Sequence, residues 1–181
     1  MILVRHGQSE FNAAFSVTRI DPGIHDPRLT EEGRRQAAEA GQALAGDPIR
    51  MLVASPYTRA IETAEIIADV LGLPFTIDPV VGERAAYACD VGSVTSILRS
   101  RWPHLTLDHL DERWWPEMEE PEHALLRRCA RFRSTMAARD DWQHVAVVTH
   151  WGFIRGLTGK RVGNGAIVRF DPTAPEPTEF E

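Results

Sequence analysis

The sequence lacks the features that mark several classes of protein. Only two of its 181 residues are cysteines, Cys89 and Cys129, and they show neither a CxxC nor a zinc-finger spacing. We therefore expect two buried, reduced thiols rather than a disulfide framework. No apolar run is long enough to span a bilayer. No cationic segment followed by an apolar core stands near the first residue, so we expect no secretory signal and a cytoplasmic location.

Positive charge is also scarce. Lys and Arg number 20 against 26 Asp and Glu, which gives a formal net charge of −6. Nonspecific binding to nucleic acid or to an anionic membrane needs a basic surface, so we expect neither partner. Any anion that this chain binds must be held in a local basic pocket. Nothing in the pattern indicates an oligomeric state.

The remaining composition is that of one globular domain. Hydrophobic residues make up 43% of the chain and charged residues 25%, which is ordinary for a folded protein. The length suits a single domain over 1–181 with a core of its own. Residues 79–121 follow no clear pattern, and we interpret them as a possible substrate-side insertion. The acidic, proline-rich segment 171–181 is typical of a surface tail.

Apolar runs alternate with helical patterns along the chain, which predicts an α/β architecture. We expect Thr30 to cap a helix over 29–46 that Gly46 ends, and Ser55 to cap the next helix, which Gly72 ends. The other predicted elements are two helices, over 120–140 and from Gly152, a possible short helix at "VTSILRS", and five strands, at 2–4, 51–54, 75–78, 145–149 and 166–170.

Basic side chains follow three of the predicted strands. Arg5 and His6 come directly after the first strand, Arg59 lies in the first helical turn after the second, and His150 follows the fourth. The carboxyl ends of parallel strands meet at one edge of a sheet, where ligands bind. Four such groups would repel one another unless an anion lay among them. Guanidinium groups and helix N-termini suit phosphoryl oxygens, so the pattern predicts a phosphoryl pocket.

Plainer interpretations of these residues stay open. A single histidine near a strand end is more often a hydrogen-bonded structural residue, and an arginine early in a helix often forms a surface ion pair. His6, His150 and Glu83 together have the ligand types of a zinc site. However, no HxH or HExxH spacing is present, and arginines beside a metal cation are unfavourable. We therefore expect no metal site.

Four segments carry a resemblance to a known family. "LVRHGQSEFN", "DPRLTEEGRRQA", "SPYTRAIETA" and "VVTHWG" together resemble the histidine phosphatase superfamily, the phosphoglycerate mutase-like group, in its cytosolic branch. The resemblance runs from residue 2 to about residue 170. It implies an α/β three-layer sandwich with a mostly parallel central sheet flanked by helices. It also implies chemistry through a phosphohistidine, with no metal and no cofactor.

The resemblance also assigns roles to individual residues. His6 would be the nucleophile, Arg5, Arg59 and a protonated His150 would bind the transferred phosphoryl group, and Asn12 would support the pocket rim. Glu83 follows the third strand where the family places its acidic residue, and it would act as general acid and then as base. Asp90 is a second candidate for that role.

The chain departs from the family on the substrate side. The usual Trp-Glu-Gly after the acid is missing from "ERAAYACDVGS", and no aspartate follows the second histidine. We expect an apolar wall from the insertion, and we expect the acidic run 116–122 to be solvated. The residues proposed for the wall are Trp102, Trp114, Trp115 and Met118, although we expect at least one of these tryptophans to be buried in the core under the long loop instead.

These observations favour a phosphomonoesterase that hydrolyses a small phosphate ester. A mutase must exclude water while a bisphosphorylated intermediate turns around, which needs a larger cap than 79–121 offers. A phosphoglycerate mutase-type phosphotransferase stays open as an alternative. So does a catalytically silent module that binds a phosphorylated ligand.

Overall fold

A five-stranded sheet forms the centre of the computed structural model, which describes residues 1–175; the rest of the predicted tail, 176–181, lies outside the described residues. The strand order is β3-β2-β4-β1-β5, and only the last strand runs antiparallel to its neighbour. The three strands that precede basic side chains are therefore parallel neighbours, as predicted. The strands are β1 (Ile2–Arg5), β2 (Met51–Ala54), β3 (Phe75–Ile77), β4 (Val145–Thr149) and β5 (Ile167–Arg169).

Helices cover both faces of this sheet, which gives the predicted three-layer sandwich. Alternate residues of β1 point to opposite faces, so Ile2 and Val4 join the core under α2 and α3, whereas Leu3 packs with α5 and α6. In the described part of the chain, no helix combines the length and the apolar character needed to cross a membrane. The helices are α1 (Glu10–Thr18), α2 (Glu31–Leu44), α3 (Thr58–Leu71), α4 (Thr95–Arg101), α5 (Glu122–Ala137) and α6 (Trp151–Thr158).

Of the two predicted helix caps, the one of α2 is confirmed and the one of α3 is not. Thr30 caps α2 as predicted, because its hydroxyl accepts a hydrogen bond from the N–H of Gly33. The predicted cap of α3 was wrong: that helix begins at Thr58, and the carboxylate of Asp26 accepts both the N–H and the hydroxyl of this residue. Ser55 does not cap α3, since its hydroxyl bonds to a histidine ring in the site.

Helix α1 is absent from the sequence-based assignment. Ser9 caps it in a reciprocal capping box, with Asn12 in the position where glutamate or glutamine is usual. Only Phe11 of its residues is buried, so the helix contributes little to the core. The Ser-x-x-Asn spacing was the one local signal of its start.

The glycine after His6 is required by close backbone packing. A Cβ on Gly7 would collide with the carbonyl of Gly33, and a Cβ on Gly33 would collide with the carbonyl of Gln8. The first turn of α2 can therefore lie directly against the backbone that leaves β1. This contact, together with the hydrogen bond from the N–H of Gly7 to the hydroxyl of Thr63, fixes the path of the chain next to His6.

Candidate active site

A cavity of about 560 Å³ lies at the carboxyl ends of the parallel strands. It brings together residues that are far apart in the sequence, from β1, α1, α3, the loop after β3 and the start of α6. Five of the six residues predicted for the site line it, and the sixth, His150, lies directly behind His6 with a ring-to-ring distance of 5.1 Å. The five lining residues are Arg5, His6, Asn12, Arg59 and Glu83.

His6 is held as a neutral imidazole with one nitrogen available. Its Nδ1 lies 2.7 Å from the carbonyl oxygen of Gly7, which can only accept, so Nδ1 carries the proton and Nε2 keeps its lone pair. Burial, with the charges of Arg59 and Arg5, lowers the pKa of His6 well below its ordinary value. The ring is therefore neutral near pH 7, as a nucleophile must be.

Arg5 is anchored by one of its nitrogens. Its Nη1 donates a hydrogen bond to the carbonyl of Val162 over 2.7 Å. The other guanidinium nitrogens do not take part in this bond. Its Nε is buried and has no hydrogen-bond partner within residues 1–175. A buried donor without a partner costs free energy, and an oxyanion in the cavity is the type of group that would satisfy it.

Arg59 is almost fully buried and is oriented from three sides. Its Nη1 donates to the carbonyl of Cys89 over 2.8 Å, and its Nη2 lies 3.1 Å from a carboxylate oxygen of Asp90. Its guanidinium carbon stands 4.4 Å from the centre of the Tyr57 ring. The other oxygen of Asp90 accepts the N–H groups of Ala86 and Tyr87. The structure thus makes Asp90 the anionic partner of Arg59, and both of its oxygens are occupied.

His150 is completely buried beside two other basic groups of the site. Burial first, and then the neighbouring Arg59 and His6, lower its pKa well below the ordinary value. The ring is therefore neutral near pH 7 in this structure, and a protonated His150 beside the transferred phosphoryl group stays a prediction. Its Nε2 lies 2.8 Å from the hydroxyl of Ser55, whereas its Nδ1 is buried without a partner in the described residues.

Glu83 has the properties of a proton carrier. Its carboxylate accepts the N–H of Gly152, at the start of α6, over 2.9 Å and its neighbour Arg84's N–H over 2.8 Å. Burial and the charge of Asp90 nevertheless raise its pKa. A Cβ on Gly152 would collide with this carboxylate, so a glycine is needed where α6 meets Glu83.

Asn12 lines the cavity and also bonds to a residue that sequence reasoning missed. Its Oδ1 accepts Nδ2 of Asn164 over 3.0 Å, and the same amide lies 3.2 Å from the carbonyl oxygen of His6. Asn164 follows β4 and α6, in the turn before β5. The tight "GNG" sequence was its only signal, because a turn residue has no periodicity. Ser55, the partner of His150, was missed because Ser-Pro was assigned to the helix cap.

The apolar wall of the cavity comes from other residues than those predicted. Phe11 and Phe15 of α1 stack with ring centres 5.4 Å apart, and Tyr87 contacts both rings. The four residues proposed for the wall do not line the cavity: Trp102 belongs to the core beneath the sheet, as expected for at least one tryptophan, and Trp114 packs edge-on against Tyr57. The helix that supplies most of this wall is the one that the sequence analysis did not identify.

Comparisons with known proteins agree on one family. The profile of the histidine phosphatase superfamily (branch 1) matches residues 1–170. A glucosyl-3-phosphoglycerate phosphatase of Mycolicibacterium vanbaalenii is 27% identical over 90% of this chain and 74% of its own length. A probable phosphoglycerate mutase of Erwinia tasmaniensis is 42% identical, but over 42% of this chain and 34% of its own length. This chain therefore spans only about a third of that relative.

Solved structures support the same fold. A protein described as mycobacterial hydrolase 1 superposes with a TM-score of 0.65 at 22% identity, and covers 92% of this chain and 88% of its own. The mycobacterial glucosyl-3-phosphoglycerate phosphatase solved with VO3 gives the same TM-score at 21% identity and the same two coverages. At this identity the likeness concerns the fold.

Proposed function

This chain belongs to the histidine phosphatase superfamily (branch 1), and on that premise we propose that it is a metal-independent phosphomonoesterase that acts on a small phosphorylated substrate through a phosphohistidine on His6. The observation that carries the proposal is a neutral nucleophile surrounded by donors. The free Nε2 of His6 shares the cavity with Arg5, whose Nε has no partner among residues 1–175. His150, whose buried Nδ1 likewise lacks a partner in that range, packs against the His6 ring.

In the first step, Nε2 of His6 attacks phosphorus and the bond from phosphorus to the ester oxygen breaks. Arg5 and Arg59 are placed to hold the equatorial oxygens, where charge accumulates in the transition state. The Nδ1 of His150 supplies a third donor, and the incoming dianion raises the pKa of this ring. Glu83 gives its proton to the departing oxygen, so that an alcohol leaves.

In the second step, water attacks the phosphohistidine. The Glu83 carboxylate takes a proton from that water, the P–N bond breaks, and inorganic phosphate leaves. His6 returns to its neutral form and Glu83 to its protonated form. The hydrogen bond from Nδ1 of His6 to the carbonyl of Gly7 keeps Nε2 aimed at phosphorus through both steps.

We define the phosphoryl side of the cavity as Arg5, His6, Arg59 and His150. The leaving-group side is α1 with residues 79–121, and there we place the organic part of the substrate. Phe11, Phe15 and Tyr87 offer it an aromatic surface. The phosphatase relative acts on a phosphoglycerate that carries a glucosyl group, as its name states, which supports a small phosphate ester. Two buried free thiols suit a cytoplasmic location.

A mutase is the alternative that the comparisons raise, because the relative from Erwinia tasmaniensis is named as one. That similarity is confined to 77 residues. A mutase would need priming by a bisphosphorylated compound and would return the phosphoryl group to an acceptor. Hydrolysis that proceeds at full rate without such a compound would exclude this alternative.

The test is hydrolysis of p-nitrophenyl phosphate by the pure protein, with and without EDTA. We expect nitrophenol release that survives EDTA, and a phosphoprotein after rapid denaturation that is stable in alkali and labile in acid. Both signals should be lost in His6→Ala. Lack of hydrolysis at any pH, or an acid-stable phosphoprotein, would contradict the proposed function.

A further inference from the structure

The acidic run 116–122 contains one residue that does not face solvent. Glu120 is buried, with 6% of its surface exposed, so the expectation of a fully solvated run was wrong at this position. Its carboxylate forms a bidentate ion pair with Arg128 of α5, at 3.0 Å from Nε and 2.9 Å from Nη2. Burying such a pair is costly, and it does not by itself add stability.

Arg128 also hydrogen-bonds to the backbone of the segment that carries Glu83. Its Nη1 donates to the carbonyls of Val80 and Gly82, over 2.8 and 3.0 Å, and its Nη2 to the carbonyl of Glu83 over 3.1 Å. The hydroxyl of Thr149, at the end of β4, donates to Val81. Four consecutive carbonyls, 80 to 83, are thus held by side chains.

The backbone of Glu120 forms two further hydrogen bonds to the same segment. Its N–H donates to the carbonyl of Ala85 over 2.9 Å, and its carbonyl accepts Nε of Arg84 over 2.9 Å. Within the segment from 80 to 85, every residue except Val81 is therefore hydrogen-bonded to the Glu120–Arg128 pair. The pair lies on the side of this segment that faces α5, and its two residues are not among those that line the cavity.

We propose that the Glu120–Arg128 ion pair is a positioning device that holds the general acid Glu83 at the distance from the leaving oxygen that proton transfer requires. This inference rests on the proposed function of the site. Only a guanidinium has five N–H groups in one plane, which lets it bind a carboxylate and three carbonyls at once. A lysine keeps the charge opposite Glu120 but offers three donors from a single point.

Arg128→Lys tests the proposal with two esters that share an aromatic ring. Benzyl phosphate releases an alkoxide that needs a proton, whereas p-nitrophenyl phosphate releases a stable phenolate that does not. We expect kcat/KM to fall about tenfold to a hundredfold for benzyl phosphate, since a displacement of about 1 Å costs that much. For p-nitrophenyl phosphate we expect a change of less than about threefold.

The same substitution made in the Glu83→Gln variant shows whether Arg128 acts through Glu83. In Glu83→Gln the general acid is already absent, so adding Arg128→Lys should cause no further loss on benzyl phosphate. A structural defect would instead multiply with the loss caused by Glu83→Gln. Multiplying losses, equal losses on both esters, or no loss at all would each overturn the proposal. It would also be overturned if Glu83→Gln did not discriminate between the esters.

Arg133 provides the matched control on the same helix. It is also a buried arginine that donates to two carbonyls, of Leu157 and Ala174, and its guanidinium lies 4.7 Å from the Phe170 ring. Arg133→Lys should leave the ratio of the two ester rates unchanged. Should Arg128→Lys fail to fold, the double variant Arg128→Met with Glu120→Gln removes both buried charges together and should give the same discrimination.

The same assays separate this inference from the proposed function. A wild-type protein that hydrolyses neither ester contradicts the phosphomonoesterase itself, and the positioning role falls with it. A wild-type protein that hydrolyses both, with an Arg128→Lys variant that loses both equally, contradicts only the positioning role.

Discussion

On the phosphoryl side of the cavity, Arg5, His6 and His150 are carried by the ends of two neighbouring parallel strands. The leaving-group side is assembled from α1 and from the long segment after β3, and contacts from α5 and α6 hold it in place. The placement of those three residues follows directly from sheet topology. Arg59 of α3 and the whole leaving-group side depend instead on individual long-range hydrogen bonds. Changes on the phosphoryl side should therefore affect every ester alike, and changes on the leaving-group side should discriminate among them.

Arg5→Gln should give the largest effect of the changes compared here. In the proposed mechanism it removes a charge that holds the phosphoryl oxygens whatever the leaving group is, so we expect kcat/KM to fall by about 10²-fold to 10³-fold for both benzyl and p-nitrophenyl phosphate. Arg169→Gln is the control, because Arg169 is exposed on β5 and pairs with Asp47 outside the cavity. A loss confined to one of the two esters would contradict the assignment of Arg5 to the phosphoryl side.

Gly152→Ala should give the next largest effect, and it should discriminate. The new methyl group would displace the Glu83 carboxylate, the mobile end of a side chain, and leave the backbone in place. We expect a fall of about tenfold to a hundredfold in kcat/KM for benzyl phosphate and little change for p-nitrophenyl phosphate. Gly46→Ala is the matched control, since a Cβ there meets open space. Equal losses on the two esters would show that the Glu83 carboxylate has no special role in leaving-group departure.

The same contrast explains how much the sequence could predict. Arg5, His6 and His150 were identified because a short apolar run marks each strand and the next residue must lie at the sheet edge. Their charge states could not be read in the same way. The neutral state of His150 depends on its complete burial and on the charge of Arg59, and neither is visible in a local pattern.

The leaving-group side was predicted only in part, for a physical reason. Glu83 was placed by family resemblance. The residues that hydrogen-bond to it are distant in sequence: Gly152 lies 69 residues away and Arg128 lies 45 residues away. No periodicity reports a hydrogen bond of that span. Asp90 illustrates the consequence: its nearness in sequence to Glu83 suggested a second candidate acid, and its contact with Arg59 was not visible in any local pattern.

The pH dependence sharpens the comparison, because the nucleophile titrates on the phosphoryl side and the general acid titrates on the leaving-group side. The pKa of His6 is lowered from 6.5 by burial and by Arg59 and Arg5, so the nucleophile stays neutral and active below that pH. The pKa of Glu83 is raised from 4.5 by burial and Asp90, and its proton is lost as pH rises through the raised value. We expect a loss at high pH for benzyl phosphate that is weak for p-nitrophenyl phosphate.

The measurement is kcat/KM against pH for both esters, corrected for ionisation of the ester itself. In Glu83→Gln, the difference between the two profiles at high pH should vanish. An acid limb for p-nitrophenyl phosphate with an apparent pKa at or above 6.5 would contradict the neutral state of His6.

Phe15→Ala should give the smallest effect, and it tests whether the aromatic surface binds the leaving group. Phe15 stacks on Phe11 and contacts Tyr87, and a stacked pair contributes about 0.5–1.5 kcal/mol beyond its buried area. We therefore expect kcat/KM to fall about threefold to tenfold for benzyl phosphate, mainly through KM. For glycerol 2-phosphate, which has no ring, it should hardly change. Val17→Ala on the same helix is the control, since Val17 is 84% exposed. Equal falls on the two esters would mean that Phe15 only supports α1, and the aromatic surface would then have no part in selecting the substrate.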